Sequence, residues 1–226
     1  MAVISNYVFT NLISMYGYTP NLFIDDYNTL YATFANNYQG SNFLTLYSSP
    51  DNGVTWVEDS VPVSETYTFD SPKIIVSNDI YYLFSNVKEN IVTKKSIVLI
   101  KKYTNITDDD GNITAEDFWE DNYKKVIFDT NYNCRITDCK LSENKYYIYI
   151  TYDKELMSGV YEARFAVYSI LDEKIKIDIS IMSDSAINNH NAKIVEIDQE
   201  TVGFSYETQY ISEYGNKTYQ IAYRQY

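Results

Sequence analysis

Short apolar and aromatic runs, each preceded by a polar turn, recur along the chain. Four such runs share one appearance: Leu30–Ala35, Tyr81–Asn86, Tyr146–Thr151 and Val202–Glu207. Their Tyr, Phe, Ile and Val side chains suit the pleated, half-buried surface of a strand. Polar turns precede them at Asp25–Asn28, Ser77–Asp79, Ser142–Lys145 and Asp198–Glu200. Before each turn stands a shorter apolar strand, at Asn21–Ile24, Lys73–Val76, Cys139–Leu141 and Lys193–Ile197. Third strands are predicted at Phe43–Ser48, Ser96–Tyr103, Tyr161–Ser169 and Lys217–Arg224, and fourth strands at Val57–Val63, Lys124–Phe128 and Lys174–Ile181. Helical signal is weak. Its best candidate is Thr114–Tyr123, with Thr114 as N-cap and acidic residues in the first turn.

The second strands start 51, 65 and 56 residues apart. A unit of strand, turn, strand, loop, strand, turn, strand at a period near 50 marks four-stranded propeller blades. The predicted fold is therefore all-β: a β-propeller of about four blades in a single domain, with units near 20–63, 71–128, 134–181 and 190–226. Two packed sheets would accommodate the same strands, but recurrence of the unit in order favours the propeller. The last unit stops after its third strand. Val3–Ser14 is an apolar strand without a unit, and it is expected to pair with Lys217–Arg224 and close the last blade, removing an open edge.

Composition narrows the class further. With 25 Tyr and 10 Phe the chain can bury enough apolar surface to order itself, and only 7 Gly and 4 Pro exclude collagen-like or disordered classes. The formal charge is −13, from 18 basic and 31 acidic residues. Such a field opposes the counterion release that nucleic-acid binding uses, so no nucleic-acid partner is expected. The basic pairs Lys94-Lys95, Lys101-Lys102 and Lys124-Lys125 read as solvated strand ends. No apolar run approaches the roughly 20 residues of a membrane span, and Met1–Tyr7 lacks the pattern of a secretory signal. Cytoplasmic synthesis without membrane insertion is the expectation. Cys134 and Cys139 read as free thiols, since one His in the chain cannot complete a zinc site.

One segment carries a recognisable motif. Ser49-Pro50-Asp51-Asn52-Gly53-Val54-Thr55-Trp56 has the pattern Ser-x-Asp-x-Gly-x-Thr-Trp at every fixed position. Gly53 supplies a positive φ, Asp51 accepts N–H bonds within the turn, and Trp56 packs back on the blade. This resembles the Asp-box repeat of sialidase-like propellers, which joins the third and fourth strands of a blade, the position it holds here. Thr107–Ile113 keeps Thr-x-Asp-x-Gly without the Thr-Trp ending. There Asp108 and Asp110 are weak candidates for calcium, but Ile106 stands where the first carboxylate of an EF-hand belongs, so a decayed hairpin is favoured. The resemblance implies a fold, not sialidase chemistry, because the Asp-box lies away from that family's catalytic face. Those propellers have six blades, a departure from the four expected here.

No catalytic residue and no cofactor are assigned. A sialidase needs three arginines about its substrate carboxylate; Arg135, Arg164 and Arg224 are the only ones here and read as solvated or ion-paired. His190, the single histidine, lacks a nucleophile motif, and no Gly-rich phosphate loop is present. The expected function is a non-catalytic binding or assembly module that recognises surface glycan or other protein subunits. A virion- or phage-tail-associated setting suits a carbohydrate-associated fold made without a secretory signal, and Asn-, Tyr-, Ile- and Lys-rich usage suits an AT-rich genome. The alternative is a sialidase-like glycoside hydrolase or its inactive descendant. A recognition face is expected opposite the Asp-box, on the loops between second and third strands and between blades. Its candidate residues are Tyr38, Gln39, Tyr132, Asn189, His190, Tyr210 and Tyr214. Tyrosine there offers a flat apolar face with a hydroxyl, suited to sugar rings or protein partners.

Overall fold

The structure is a computed structural model that describes residues 17–38, 41–61, 67–89, 94–104, 106–107, 113–115, 118–120, 123–181, 188–196, 201–211 and 217–225. Every described element is a strand, and the described pairings are antiparallel. The first sheet runs in chain order through β1 (Gly17–Ile24), β2 (Leu30–Tyr38), β3 (Ser41–Ser49) and β4 (Val57–Ser60). The second contains β5 (Tyr67–Ser77), β6 (Ile80–Glu89) and β7 (Ser96–Tyr103). A separate ribbon, β8 (Ile106–Thr107) with β9 (Ile113–Ala115), follows it; β10 (Phe118–Trp119) and β11 (Lys124–Ile127) then both pair with β7. The third sheet is β12 (Asn133–Leu141), β13 (Tyr147–Met157), β14 (Val160–Ser169) and β15 (Lys174–Ser180). The fourth shows three strands, β16 (Asn188–Glu196), β17 (Val202–Ile211) and β18 (Lys217–Gln225). The strand expected at Val3–Ser14 lies outside the described residues.

The chain divides into two compact units, Met1–Thr93 with Val98–Lys125, and Lys94–Ile97 with Val126–Tyr226. In the first, Leu44, Leu46, Phe69, Ile74, Leu83, Val98 and Ile100 form a core from both sheets. In the second, Phe165, Ile194, Phe204 and Tyr206 do the same, with the Phe165 and Phe204 rings 4.8 Å apart. Strands covered on both faces lose the simple apolar–polar alternation. β7 reads Ser-Ile-Val-Leu-Ile-Lys-Lys-Tyr and is buried from Ser96 to Lys102, as a short continuous apolar run demands.

Two sequence expectations are corrected. Within Thr114–Tyr123, the described residues include the strands at Thr114–Ala115 and Phe118–Trp119 and no helix, because the aromatics find cross-strand partners: Phe118 stands opposite Tyr103 with rings 5.2 Å apart, and Trp119 stands opposite Lys102. The Trp119 indole donates to Asp59 Oδ1 at 3.1 Å. Lys101 and Lys102 are buried, not solvated. Their ammonium groups are compensated: Lys101 Nζ lies 3.0 Å from Glu120 Oε1, and Lys102 Nζ lies 2.5 Å from Asp59 Oδ2. Burial of such charges requires these partners.

Candidate functional site

The first strand of every sheet breaks its register once: between Tyr18 and Asn21, Asp70 and Lys73, Ile136 and Asp138, and His190 and Lys193. At three of these bulges a residue takes a left-handed backbone, Thr19 at φ 54°, Ser71 at 52° and Asn191 at 55°. A bulge turns polar groups out of their own ladder and re-aims side chains. In the first unit Ser71 N–H donates to Thr19 Oγ1 at 3.0 Å, and Ile74 N–H to Asn21 Oδ1 at 3.1 Å. In the second, Ile194 N–H donates to Asp138 Oδ2 at 3.1 Å, and Lys193 Nζ to the Thr137 carbonyl at 2.5 Å. First strands of successive sheets are thus bonded side chain to backbone within each unit.

The bulge of β16 also builds a polar cluster in the second unit. Asn191 N–H donates to Asp153 Oδ1 at 3.0 Å, while its Nδ2 donates to Glu207 Oε1 at 3.0 Å. One residue therefore bridges two carboxylates. Arg135 sits opposite Asp153 in the β12–β13 register, its Nη2 3.8 Å from Asp153 Oδ2 and its guanidinium 5.1 Å from the Tyr161 ring centroid. His190 meets the same ring edge-on at 6.0 Å and places Nδ1 3.7 Å from Glu207 Oε2. Asn188 pins the neighbouring turn, accepting Tyr161 N–H at 2.8 Å and donating to the Gly159 carbonyl at 3.0 Å.

The two carboxylates differ in environment. The Asp153 side chain is 0 % exposed, whereas that of Glu207 is 48 % exposed. Burial pushes the Asp153 carboxyl up to about 7, against the opposing pull of Arg135 and the Asn191 N–H. Its proton is lost far later than from a solvated aspartate, and its side chain reaches no solvent, so it anchors the cluster. Glu207, His190, Arg135 and Tyr161 present the accessible chemistry: an acceptor, a ring nitrogen, a guanidinium and an aromatic face. Among the described residues no group of three His, Cys, Asp or Glu side chains is placed to hold a metal ion.

The structure brings one predicted residue to this cluster, His190, and places its chain neighbour Asn189 in the same strand. Both were expected in a loop and instead lie within β16, because the bulge lets the polar stretch Asn188–His190 continue pairing with Glu207–Gln209. Asn189 is buried opposite Thr208. Tyr132 sits elsewhere, its ring 4.7 Å from Lys154 Nζ, which pairs with Asp129 at 2.8 Å. Tyr38 closes β2 opposite Ser41, and Tyr210 lies in β17 opposite Thr218. Gln39, Tyr214, Asp108 and Asp110 fall outside the described residues. Asp153, Asn191 and Glu207 escaped sequence reading. A signal for Asp153 was present: it continues β13 beyond Tyr149 and Thr151 on one face of a strand buried on both.

Other chemistry-bearing residues are spoken for. Arg164 bonds Tyr152 Oη at 2.9 Å, Asp178 Oδ1 at 3.0 Å and Glu162 Oε1 at 3.1 Å. Neither Cys134 nor Cys139 is in a disulfide, and burial pushes the Cys134 thiol up to about 11, far from a nucleophilic thiolate at neutral pH.

In the first unit Ser49–Trp56 joins β3 to β4 by a turn closed largely by its own side chains. Asp51 Oδ1 accepts the Thr55 N–H at 2.8 Å and the Ser49 hydroxyl at 2.8 Å, and Oδ2 accepts the Thr55 hydroxyl at 2.6 Å. Gly53 N–H donates to Ser49 Oγ at 2.8 Å, and Trp56 Nε1 to the Gly53 carbonyl at 3.2 Å. Gly53 has φ 87°, where a Cβ would be strained. The Thr55 hydroxyl and N–H hold the Asp51 carboxyl down at about 2.

Antiparallel sheets of three to five strands following one another in chain order define the β-propeller class, and comparison with solved structures agrees. The endo-arabinase from Bacteroides thetaiotaomicron VPI-5482 superposes with a TM-score of 0.59 at 13% identity, over 93% of this chain and 76% of that one. The Bacillus subtilis arabinanase gives 0.53 at 15% identity, over 93% and 72%. A Trypanosoma rangeli sialidase bound to the inhibitor DANA gives 0.58 at 13% identity, but this chain spans only 38% of it. These neighbours are β-propeller glycoside hydrolases, so the resemblance to sialidase-like propellers holds at the level of fold. No family model matches the chain, and no curated protein matches it in sequence.

Proposed function

We propose that this protein is a glycan-binding propeller whose second unit holds sugar hydroxyls at the Arg135–Tyr161–His190–Glu207 cluster. The observation that carries the reading is the asymmetry of the carboxylates bridged by Asn191. Glycoside hydrolysis uses two carboxyl groups flanking the scissile bond. Here Glu207 meets solvent and Asp153 does not, which suits recognition better than cleavage. The fold neighbours, arabinanases and a sialidase, support sugar as the ligand class. We further propose that the binding serves an assembly, a virion- or tail-associated particle that meets a glycan surface.

Titration with arabino-oligosaccharides, xylo-oligosaccharides and sialyllactose by calorimetry tests the reading. Glu207→Gln and His190→Ala should each weaken binding about tenfold or more while the circular dichroism spectrum stays unchanged. Unaltered binding by both variants would remove the cluster from the function. The second reading is hydrolysis, favoured by a carboxyl whose titration burial raises toward neutrality. Release of reducing sugar from those oligosaccharides, abolished by Glu207→Gln, would establish it.

A further inference from the structure

Two arginines, Arg135 and Arg164, are used in opposite ways. The Arg164 guanidinium spends its fork on Tyr152, Asp178 and Glu162 through bonds of 2.9, 3.0 and 3.1 Å. Arg135 does not. Its side chain is 41% exposed, and Asp153 Oδ2 stands 3.8 Å from its Nη2, beyond hydrogen-bond length. The Tyr161 ring steadies the guanidinium, whose centre lies 5.1 Å from the ring centroid. Five N–H donors are thus held beside an aromatic face with no hydrogen-bond acceptor among the described residues.

The same ring gathers two more unused donors. The Tyr161 hydroxyl makes no hydrogen bond to a described residue. His190 meets the ring edge-on at 6.0 Å, and its Nδ1 lies 3.7 Å from Glu207 Oε2, again too long for a bond. Its side chain is only 20% exposed, so little water reaches the imidazole. Guanidinium, hydroxyl and imidazole therefore surround one ring with their donors unspent, the complement of an oxyanion. The neighbouring charges are engaged: Asp153 accepts the Asn191 N–H, Glu207 Oε1 accepts Asn191 Nδ2, and Lys193 donates to the Thr137 carbonyl.

We propose that this cluster binds a sugar carrying a sulfate ester, its oxygens taken by Arg135, Tyr161 and His190 and a ring hydroxyl by Glu207. The inference rests on the glycan-binding reading above and names the class of sugar that reading leaves open. A planar carboxylate would fill the guanidinium fork with both its oxygens, leaving the hydroxyl and the imidazole without an acceptor. A sulfate ester has three terminal oxygens set tetrahedrally, so two meet the fork while the third turns to the other donors. It carries a single negative charge, whereas a phosphate ester approaches two at neutral pH. Beside the half-exposed Glu207 carboxylate the smaller charge is repelled less. The net charge of −13 acts against any anion, but physiological salt screens exposed charges over about 8 Å, so contacts inside the cluster decide.

Calorimetric titration with glucose 6-sulfate, glucose 6-phosphate, glucuronate and glucose at fixed ionic strength tests it, since these hexoses differ only at C6. The sulfate should bind about tenfold more tightly than glucose, and more tightly than the phosphate or the carboxylate. Arg135→Lys keeps a positive charge beside Asp153 but loses the fork, and should bring the sulfate-to-glucose ratio below about threefold. Tyr161→Phe removes the hydroxyl alone and should lower the same ratio without lowering the melting temperature. Equal affinity for glucose 6-sulfate and glucose, tighter binding of glucuronate or the phosphate, or a ratio that both variants leave unaltered would overturn the sulfate assignment. If neutral oligosaccharides still bind and lose affinity in Glu207→Gln, the glycan reading survives that outcome. No binding of any sugar, neutral oligosaccharides included, would overturn both.

Discussion

Asp51 and Asp153 are two aspartates whose surroundings drive them in opposite directions. In the Ser49–Trp56 turn every contact on Asp51 comes from a donor, so the ionised form is favoured and the folded carboxyl titrates near 2. Its folded value lies below the unfolded one, so its contribution is present above about pH 4 and lost as pH falls through about 2. Asp51→Ala should therefore lower the melting temperature at pH 7, with the gap to the parent closing toward pH 2. For Asp153 the sign reverses. Its folded value is raised to about 7, so the folded state binds the extra proton and stability falls as pH rises from about 4 to about 7. Asp153→Asn should flatten that part of the melting-temperature profile. A variant with the parent's slope would show that Asp153 is ionised throughout.

At the scale of elements, most strands were legible because aromatic and β-branched runs separated by polar turns are a local signal. Their starts were not. β12 begins at Asn133, not Cys139, and β16 at Asn188, not Lys193, because bulges let polar residues continue the ladder. Proline offered a clue: Pro20 and Pro72 each follow the left-handed residue of a bulge, and proline within a strand sits at bulges or edges. Thr114–Tyr123 was misread for a different reason, its strand character resting on partners in β7 that no local pattern reveals. The candidate site was half legible. His190 stood out as a residue type, whereas Asp153 and Glu207 became partners only through Asn191. The β13–β14 turn gives an element-level test. Gly159 has φ 76°, and a Cβ there would meet nothing within 4 Å, so Gly159→Ala should cost only the backbone penalty of about 1–2 kcal/mol in chemical denaturation. A larger loss would mean the turn couples to the Asn188 bonds.

For the whole molecule, the charge of −13 is a field rather than a site. At 150 mM salt, mobility-shift titration with duplex DNA and single-stranded RNA should show no complex at micromolar protein; a stable complex would mean a basic surface the composition hides. Organisation into two units has a consequence of a different kind, one of timing. Each hairpin joins near neighbours in the chain, whereas the bonds from Asn21 to Ile74 and from Asp138 to Ile194 span 53 and 56 residues. Closing so long a loop costs more entropy than closing a turn. Hairpins are therefore expected first during refolding, and these side-chain bonds last. The amides of Ile74 and Ile194 then serve as clocks: in pulse-labelling they should gain protection after their ladder neighbours, marking when two finished sheets lock together.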